Sequence, residues 1–135
     1  METQRLPIVE EQVCFRSGHE TLSGVFAYPE SQQPCAGVLL CSPHPNFAGN
    51  MENNVIAALG RELAVSALTL RFDYRGVRAS TLQLPGNESV FDYWNRVEES
   101  QDYAATLEDV CCASAFLADS APNLPLYVVG YSFGS

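Results

Sequence analysis

No stretch of this chain approaches the ~20 consecutive apolar residues that a membrane helix requires. No C-x-x-C pair, internal repeat or low-complexity tract occurs in it either. These absences argue against a helical membrane protein and against the usual cysteine spacings of zinc and dithiol sites. Basic side chains are scarce as well: 7 Lys and Arg face 16 Asp and Glu, for a formal net charge of −9 and a pI near 4.4. Phosphate backbones and anionic headgroups repel such a surface, so neither nucleic acid nor a membrane is the expected partner, and a small molecule is. The opening residues, Met1-Glu2-Thr3-Gln4-Arg5-Leu6-Pro7, lack the apolar run of a secretory signal. The five cysteines, Cys14, Cys35, Cys41, Cys111 and Cys112, are odd in number. We read them as reduced thiols of a cytoplasmic protein that needs no metal and no cofactor.

What is present points to a buried core. Hydrophobic residues make up 47% of the 135 and charged residues 17%, and the length suits one domain spanning residues 1–135. Val13 to Ser17 and Thr21 to Tyr28 read as a hairpin turning at Gly18-His19, which makes His19 a turn residue. Ala36 to Cys41 and Ala67 to Phe72 are continuous apolar runs of strand length, the pattern of strands covered on both faces. Between them Val55, Leu59 and Leu63, with Ile56 beside them, recur at helical spacing. Asp73 to about Gln101 reads as a long polar connection. Thr106 and Asp109 resemble a capping box opening a helix whose Leu107, Val110, Ser114 and Leu117 share a face. A last strand covers Leu124 to Val129. Strand, helix, strand, helix, strand is the signature of parallel pairing through right-handed crossovers, so the class is α/β with an antiparallel hairpin at one side. In such sheets the chemistry gathers beyond the carboxyl ends of the strands. Three segments fall there: 42–50, 73–80 and 130–135.

Gly130-Tyr131-Ser132-Phe133-Gly134 is a G-x-S-x-G sequence directly after a strand. A serine on a sharp strand-to-helix turn is strained and needs neighbours without bulk two positions away, which Gly130 and Gly134 are. Ser132 is thus the candidate nucleophile, with the Phe133 N–H directed at a tetrahedral oxyanion. Ser42 to Gly49 follows the first buried strand. Pro45 has no N–H, so the second oxyanion donor is expected at Asn46, while His44 organises the loop through hydrogen bonds. Arg71, Asp73, Arg75 and Arg78 cluster at the end of the second buried strand. They either bind a substrate anion or pair among themselves and fix the loop, and we prefer the second. Glu98, Glu99, Asp102, Glu108 and Asp109 are read as solvated surface and helix amino-terminal charge.

Taken together, Pro43-His44-Pro45 with Gly49 and Met51, then Leu70 to Val77, then Gly130 to Gly134, resemble the α/β-hydrolase superfamily. The likeness is to small bacterial esterase-like and dienelactone-hydrolase-like members. It implies a mostly parallel sheet with an antiparallel amino-terminal hairpin, incomplete after the fifth strand. It also implies a serine nucleophile at Ser132, an oxyanion hole from Phe133 and the Asn46 region, a structural arginine at Arg75, and a small-molecule acyl substrate. The chain departs from the pattern at Arg78, where many relatives carry glycine, and at Ala64-Val65-Ser66, where a glycine often ends the first helix. In the superfamily the triad acid and the histidine base follow the nucleophile in sequence. Neither His19 nor His44 occupies that base position, so the expectation is a serine hydrolase half whose isolated 135 residues are inactive. A non-catalytic interaction module, or a truncated gene product keeping the half-fold, is the alternative. Esterase, thioesterase, acyltransferase, peptidase and haloperoxidase chemistries all share this half, and neither the acyl group nor the oligomeric state is legible.

Overall fold

The computed structural model describes residues 7–135; the polar stretch of residues 1–6 lies outside the described residues. Strand β1 (Ile8–Ser17) and strand β2 (Glu20–Pro29) form the expected hairpin, longer than the sequence pattern marked, with Ser17 opposite Glu20 across the turn. Strands β3 (Gly37–Cys41), β4 (Leu68–Phe72) and β5 (Leu126–Gly130) complete a five-stranded sheet in the order β1-β2-β4-β3-β5. β3 pairs parallel with β4 and with β5, while β2 pairs antiparallel with β4. The α/β sheet expected from the sequence, with an antiparallel amino-terminal hairpin beside parallel strands, is borne out as a mixed sheet in which β3, β4 and β5 are parallel.

Every residue of β3 and β4 is buried, because helices cover both faces of these strands. Helix α1 (Asn54–Leu63) packs on one face, where Ile56 meets Val38, Leu40 and Ala67. Its amino terminus is held by Asn53, whose side chain accepts the N–H groups of Val55 and Ile56. The buried stripe is Ile56, Ala57 and Gly60, with Leu59 and Leu63 beside it; Val55, expected to face the core, is exposed. The cap explains the displacement. It places Val55 in the first turn, two residues from Asn53, on the side turned away from the sheet.

Helix α3 (Ala104–Ser120) covers the other face, burying Thr106, Asp109, Ala113 and Leu117. The expected capping box is wrong. Thr106 lies inside the helix, and the Ala104 N–H is accepted instead by the Asp102 carboxylate at 3.2 Å. Leu107, assigned to the core face, is exposed. The segment read as a polar connection contains helix α2 (Val90–Ser100), capped by the Ser89 hydroxyl and anchored by buried Tyr93, Trp94 and Val97. Val90 and Phe91 in its first turn are exposed and the other positions are charged or polar, so the three buried residues form no regular apolar stripe in the sequence. The main core, between α2, α3 and the sheet, contains Phe15, Phe72, Tyr74, Trp94 and Leu117.

No helix among the described residues is long and apolar enough to cross a membrane. The cysteines there are unpaired, with Cys41 buried and Cys14, Cys35 and Cys111 exposed.

Candidate active site

The three parallel strands end at one edge of the sheet, so the loops after Cys41, Phe72 and Gly130 converge there. The loop after β5 carries the most constrained backbone. Tyr131 still pairs with the sheet, its N–H donating to the Cys41 carbonyl at 3.2 Å. Ser132 then takes φ +59°, a left-handed conformation that a non-glycine residue adopts at a cost of roughly 1–3 kcal/mol. A short 3-10 turn, Ser132–Gly134, follows at once, and Ser132 is exposed. Phe133 lies in the first turn of that segment, where N–H groups have no partner within the helix.

The two glycines make this turn feasible. A Cβ on Gly130 would lie 2.1 Å from the Gly134 carbonyl oxygen, and a Cβ on Gly134 would lie 2.3 Å from the Cys41 carbonyl oxygen. In both cases the obstacle is backbone, which has no rotamer by which to move aside.

The loop after β3 is organised around His44, which is buried. Its Nδ1 accepts the Asn46 N–H at 3.1 Å, so in the neutral ring the proton sits on Nε2. That Nε2 is buried without a hydrogen-bond partner and lies 3.8 Å from a carboxylate oxygen of Glu98 on α2. The same ring stands edge-on to Phe133, with centroids 4.9 Å apart, which joins the loop to the serine turn. Asn46 is tied down twice over. Besides its N–H on His44, its side-chain amide donates to the Phe91 carbonyl at 3.0 Å and to Asn95 Oδ1 at 3.1 Å, both on α2. The sequence pattern contained none of these α2 partners, because α2 itself went unseen.

Beneath the loop, Tyr74 donates its hydroxyl to the Ser42 carbonyl at 3.3 Å and packs edge-on against Phe133. Burial holds the Tyr74 hydroxyl well above the usual phenol range and pushes the Cys41 thiol up to about 11. Cys41 is therefore a protonated thiol at neutral pH.

The charged loop after β4 pairs with its surroundings. Arg71 Nε donates to the Met51 carbonyl at 3.0 Å. Asp73 Oδ1 accepts the Met51 N–H at 2.7 Å, and its other oxygen lies 3.8 Å from Arg78. Burial raises the Asp73 carboxyl above its ordinary pKa despite the Met51 N–H and the neighbouring arginines. Arg78, expected from the resemblance to be a departure, adopts the left-handed conformation that glycine favours, φ +52°. At the other departure the chain needs no left-handed residue, since Ala64 ends α1 in right-handed geometry. Arg75 reaches down to Asp109 on α3, and the Trp94 indole N–H donates to its carbonyl at 3.2 Å. Asp109 is fully buried, contrary to the reading of it as solvated helix charge. A helix residue spaced three from Thr106 and four from Ala113 shares their inward face, and that was the signal available in the sequence.

His19 lies exposed in the hairpin turn, at the tip between β1 and β2. The site thus brings together Ser132, Phe133, His44 and Asn46, and leaves His19 out. Among the described residues no group of three or more His, Cys, Asp or Glu side chains could hold a metal ion.

No protein-family model and no curated protein matches the chain. Solved structures do match it. An α/β serine hydrolase homologue from Coxiella burnetii aligns over 92% of this chain and 52% of its own, with a TM-score of 0.72 and 20% identity. An α/β serine hydrolase without a lid from Xanthomonas campestris aligns over 98% and 55%, with a TM-score of 0.71 and 17% identity. A dienelactone hydrolase-like promiscuous phosphotriesterase from metagenomic libraries aligns over 94% and 50%, with a TM-score of 0.69 and 17% identity. The chain spans about half the length of the solved structures it matches.

Proposed function

From the premise that this chain has the α/β-hydrolase fold over nearly all its length, we propose that it is the nucleophile-bearing half of a serine hydrolase acting on a carboxylic ester or related acyl bond. The observation that carries the reading is the strained Ser132 held between two glycines that no larger residue can replace. Ser132 Oγ attacks the acyl carbonyl, and the Phe133 N–H receives the oxyanion. The Asn46 N–H is the second donor once it exchanges His44 Nδ1 for the developing charge, a tightening of the kind that catalytic hydrogen bonds undergo on reaction.

A serine hydroxyl is a weak nucleophile without a base in reach. His44 is a poor candidate for that base, because its Nδ1 already accepts the Asn46 N–H and its free Nε2 carries the proton. His19 lies at the hairpin tip. The 135 residues alone are accordingly slow, and a second reading, a non-catalytic module that keeps the half-fold, draws its support from this lack of a base.

Chemical rescue tests the two readings. The chain is treated with an alkyl fluorophosphonate, with and without added imidazole as an external base, and adducts are read by intact mass. Imidazole-dependent phosphonylation that disappears in Ser132→Ala supports the hydrolase reading. Equal labelling of both proteins removes Ser132 from the mechanism, and no labelling of either favours the non-catalytic module.

A further inference from the structure

Helix α2 turns one face at the loop after β3. Phe91, Asn95 and Glu98 are spaced four and three apart, so they stack along a single side of the helix. All three meet that loop. The Phe91 carbonyl and Asn95 Oδ1 both accept from the Asn46 side-chain amide, at 3.0 and 3.1 Å, and the Glu98 carboxylate lies 3.8 Å from His44 Nε2. The loop has little else to hold its tip. Its short turn, Pro45–Phe47, buries no residue, and Ala48 beyond it takes φ +59°, a left-handed conformation that alanine disfavours. Helix α2 is well anchored by contrast. Tyr93, Trp94 and Val97 are buried beneath it, and the Trp94 indole N–H donates to the Arg75 carbonyl. A fixed element thus grips a loop that burial alone does not fix.

We propose that Asn95 is a positioning residue, which fixes loop 44–48 through the Asn46 side chain. Of the two acceptors, the Phe91 carbonyl belongs to the helix backbone, where the N–H four residues on shares it. Asn95 Oδ1 is the acceptor that a substitution can remove without disturbing the helix. Its bond sets where the Asn46 backbone N–H stands, and with it the bond of that N–H to His44 Nδ1. For the chemistry, the inference rests on the hydrolase reading given above, in which this N–H is the second oxyanion donor. Such a donor works by being fixed in advance where the charge will develop. Removing an oxyanion donor outright costs about 10²–10³-fold in rate, so loosening one through its clamp should cost less, about 10-fold. The loss belongs to the maximal rate, because the donor meets full charge only in the transition state.

The test compares Asn95→Leu, which removes the acceptor and substitutes a better helix former, with Asn95→Asp, which keeps an oxygen in its place. Two readouts are taken: hydrogen exchange of the Asn46 backbone N–H by nuclear magnetic resonance, and the rate of imidazole-dependent phosphonylation across fluorophosphonate concentrations. Asn95→Leu should speed the exchange by about 10-fold and lower the maximal phosphonylation rate by about 10-fold, with the half-saturating probe concentration and the urea midpoint unchanged. Asn95→Asp should bring both readouts back to within about 3-fold of the parent. Asn46→Ala keeps the backbone N–H but lacks the clamped amide, so Asn95→Leu should add no further loss in that background. A parent chain that is not phosphonylated at Ser132 would sink the hydrolase reading and leave the clamp to be decided by exchange. Exchange unaltered in Asn95→Leu, a labelled parent whose maximal rate Asn95→Leu does not lower, or a full additional loss in the Asn46→Ala background would each overturn the clamp. Should Asn95→Leu misfold, the unaltered chain decides: protected side-chain amide protons of Asn46 support the clamp, and protons exchanging as fast as those of free asparagine overturn it.

Discussion

Arg75 and Asp109 form a buried ion pair closed from two directions: Arg75 Nη2 lies 2.8 Å from Asp109 Oδ1, and the Arg75 backbone N–H donates to Oδ2 at 3.0 Å. Ser17, the last residue of β1, adds its hydroxyl to the same carboxylate at 2.6 Å. One fully buried side chain on α3 therefore fastens the loop after β4 and the end of the hairpin.

Removing that carboxylate leaves a largely buried guanidinium without its counter-charge. Asp109→Ala is expected to destabilise the fold by about 3–5 kcal/mol, while Glu108→Ala, at an exposed partner of the same arginine, should cost no more than about 1 kcal/mol. Urea unfolding of the two variants checks the contrast. Equal costs would mean that burial does not set the value of the pair.

The serine turn predicts a trade between stability and chemistry. Ser132→Gly removes the left-handed strain, worth roughly 1–3 kcal/mol, against an entropic penalty of roughly 0.5–1 kcal/mol for the added glycine. It should come out more stable than Ser132→Ala, by up to about 2 kcal/mol, although neither variant retains the hydroxyl. Thermal unfolding of the pair reads the difference, and a Gly variant no more stable than the Ala variant would show that the turn is unstrained.

Gly134→Ala pushes a methyl group into the Cys41 carbonyl, and Gly130→Ala pushes one into that of Gly134. Each should cost about 1–3 kcal/mol and abolish imidazole-dependent phosphonylation of Ser132 together with the geometry of the turn. Gly86→Ala, strained by its φ of +61° but with open space around its Cβ and far from the serine turn in sequence, should leave phosphonylation unchanged and serves as the control. Labelling retained in Gly134→Ala would contradict the close approach.

Asp73 gives a pH signature. Its carboxyl is raised in the folded chain, chiefly by burial, so the folded state holds the proton more tightly than the unfolded state does. The contribution of Asp73 to stability is therefore greatest on the acid side. It declines as pH rises from the unfolded carboxylate range through the folded pKa, and is flat beyond it. Asp73→Asn keeps an acceptor for the Met51 N–H and removes this titration. The difference between the urea midpoints of parent and variant should change with pH in that sense, and a pH-independent difference would refute the assignment.

The sequence displayed its glycines and its apolar runs well, because both report on backbone. Gly130 and Gly134 flank the serine for reasons of contact, and β3 and β4 are solid apolar runs because both their faces are covered. What it hid was carried by side chains with two possible meanings. Asp109 looks like any helix carboxylate until Arg75 is placed above it. Helix α2 presents three buried residues among polar, charged and exposed apolar ones, and so passes for a loop. With α2 unseen, the partners of Asn46 and the carboxylate beside His44 could not be assigned, since all of them stand on that helix.

Trp94 is the single tryptophan of the chain, fully buried, with its ring edge-on to His44 at 5.8 Å and to Phe133 at 6.2 Å between centroids. The molecule therefore carries one indole, which red-edge excitation selects over its six tyrosines, one side chain away from both walls of the serine turn. Its emission belongs to one position alone. Any adduct on Ser132 that shifts Phe133, or any ligand that turns His44, will register there without a label having to be introduced.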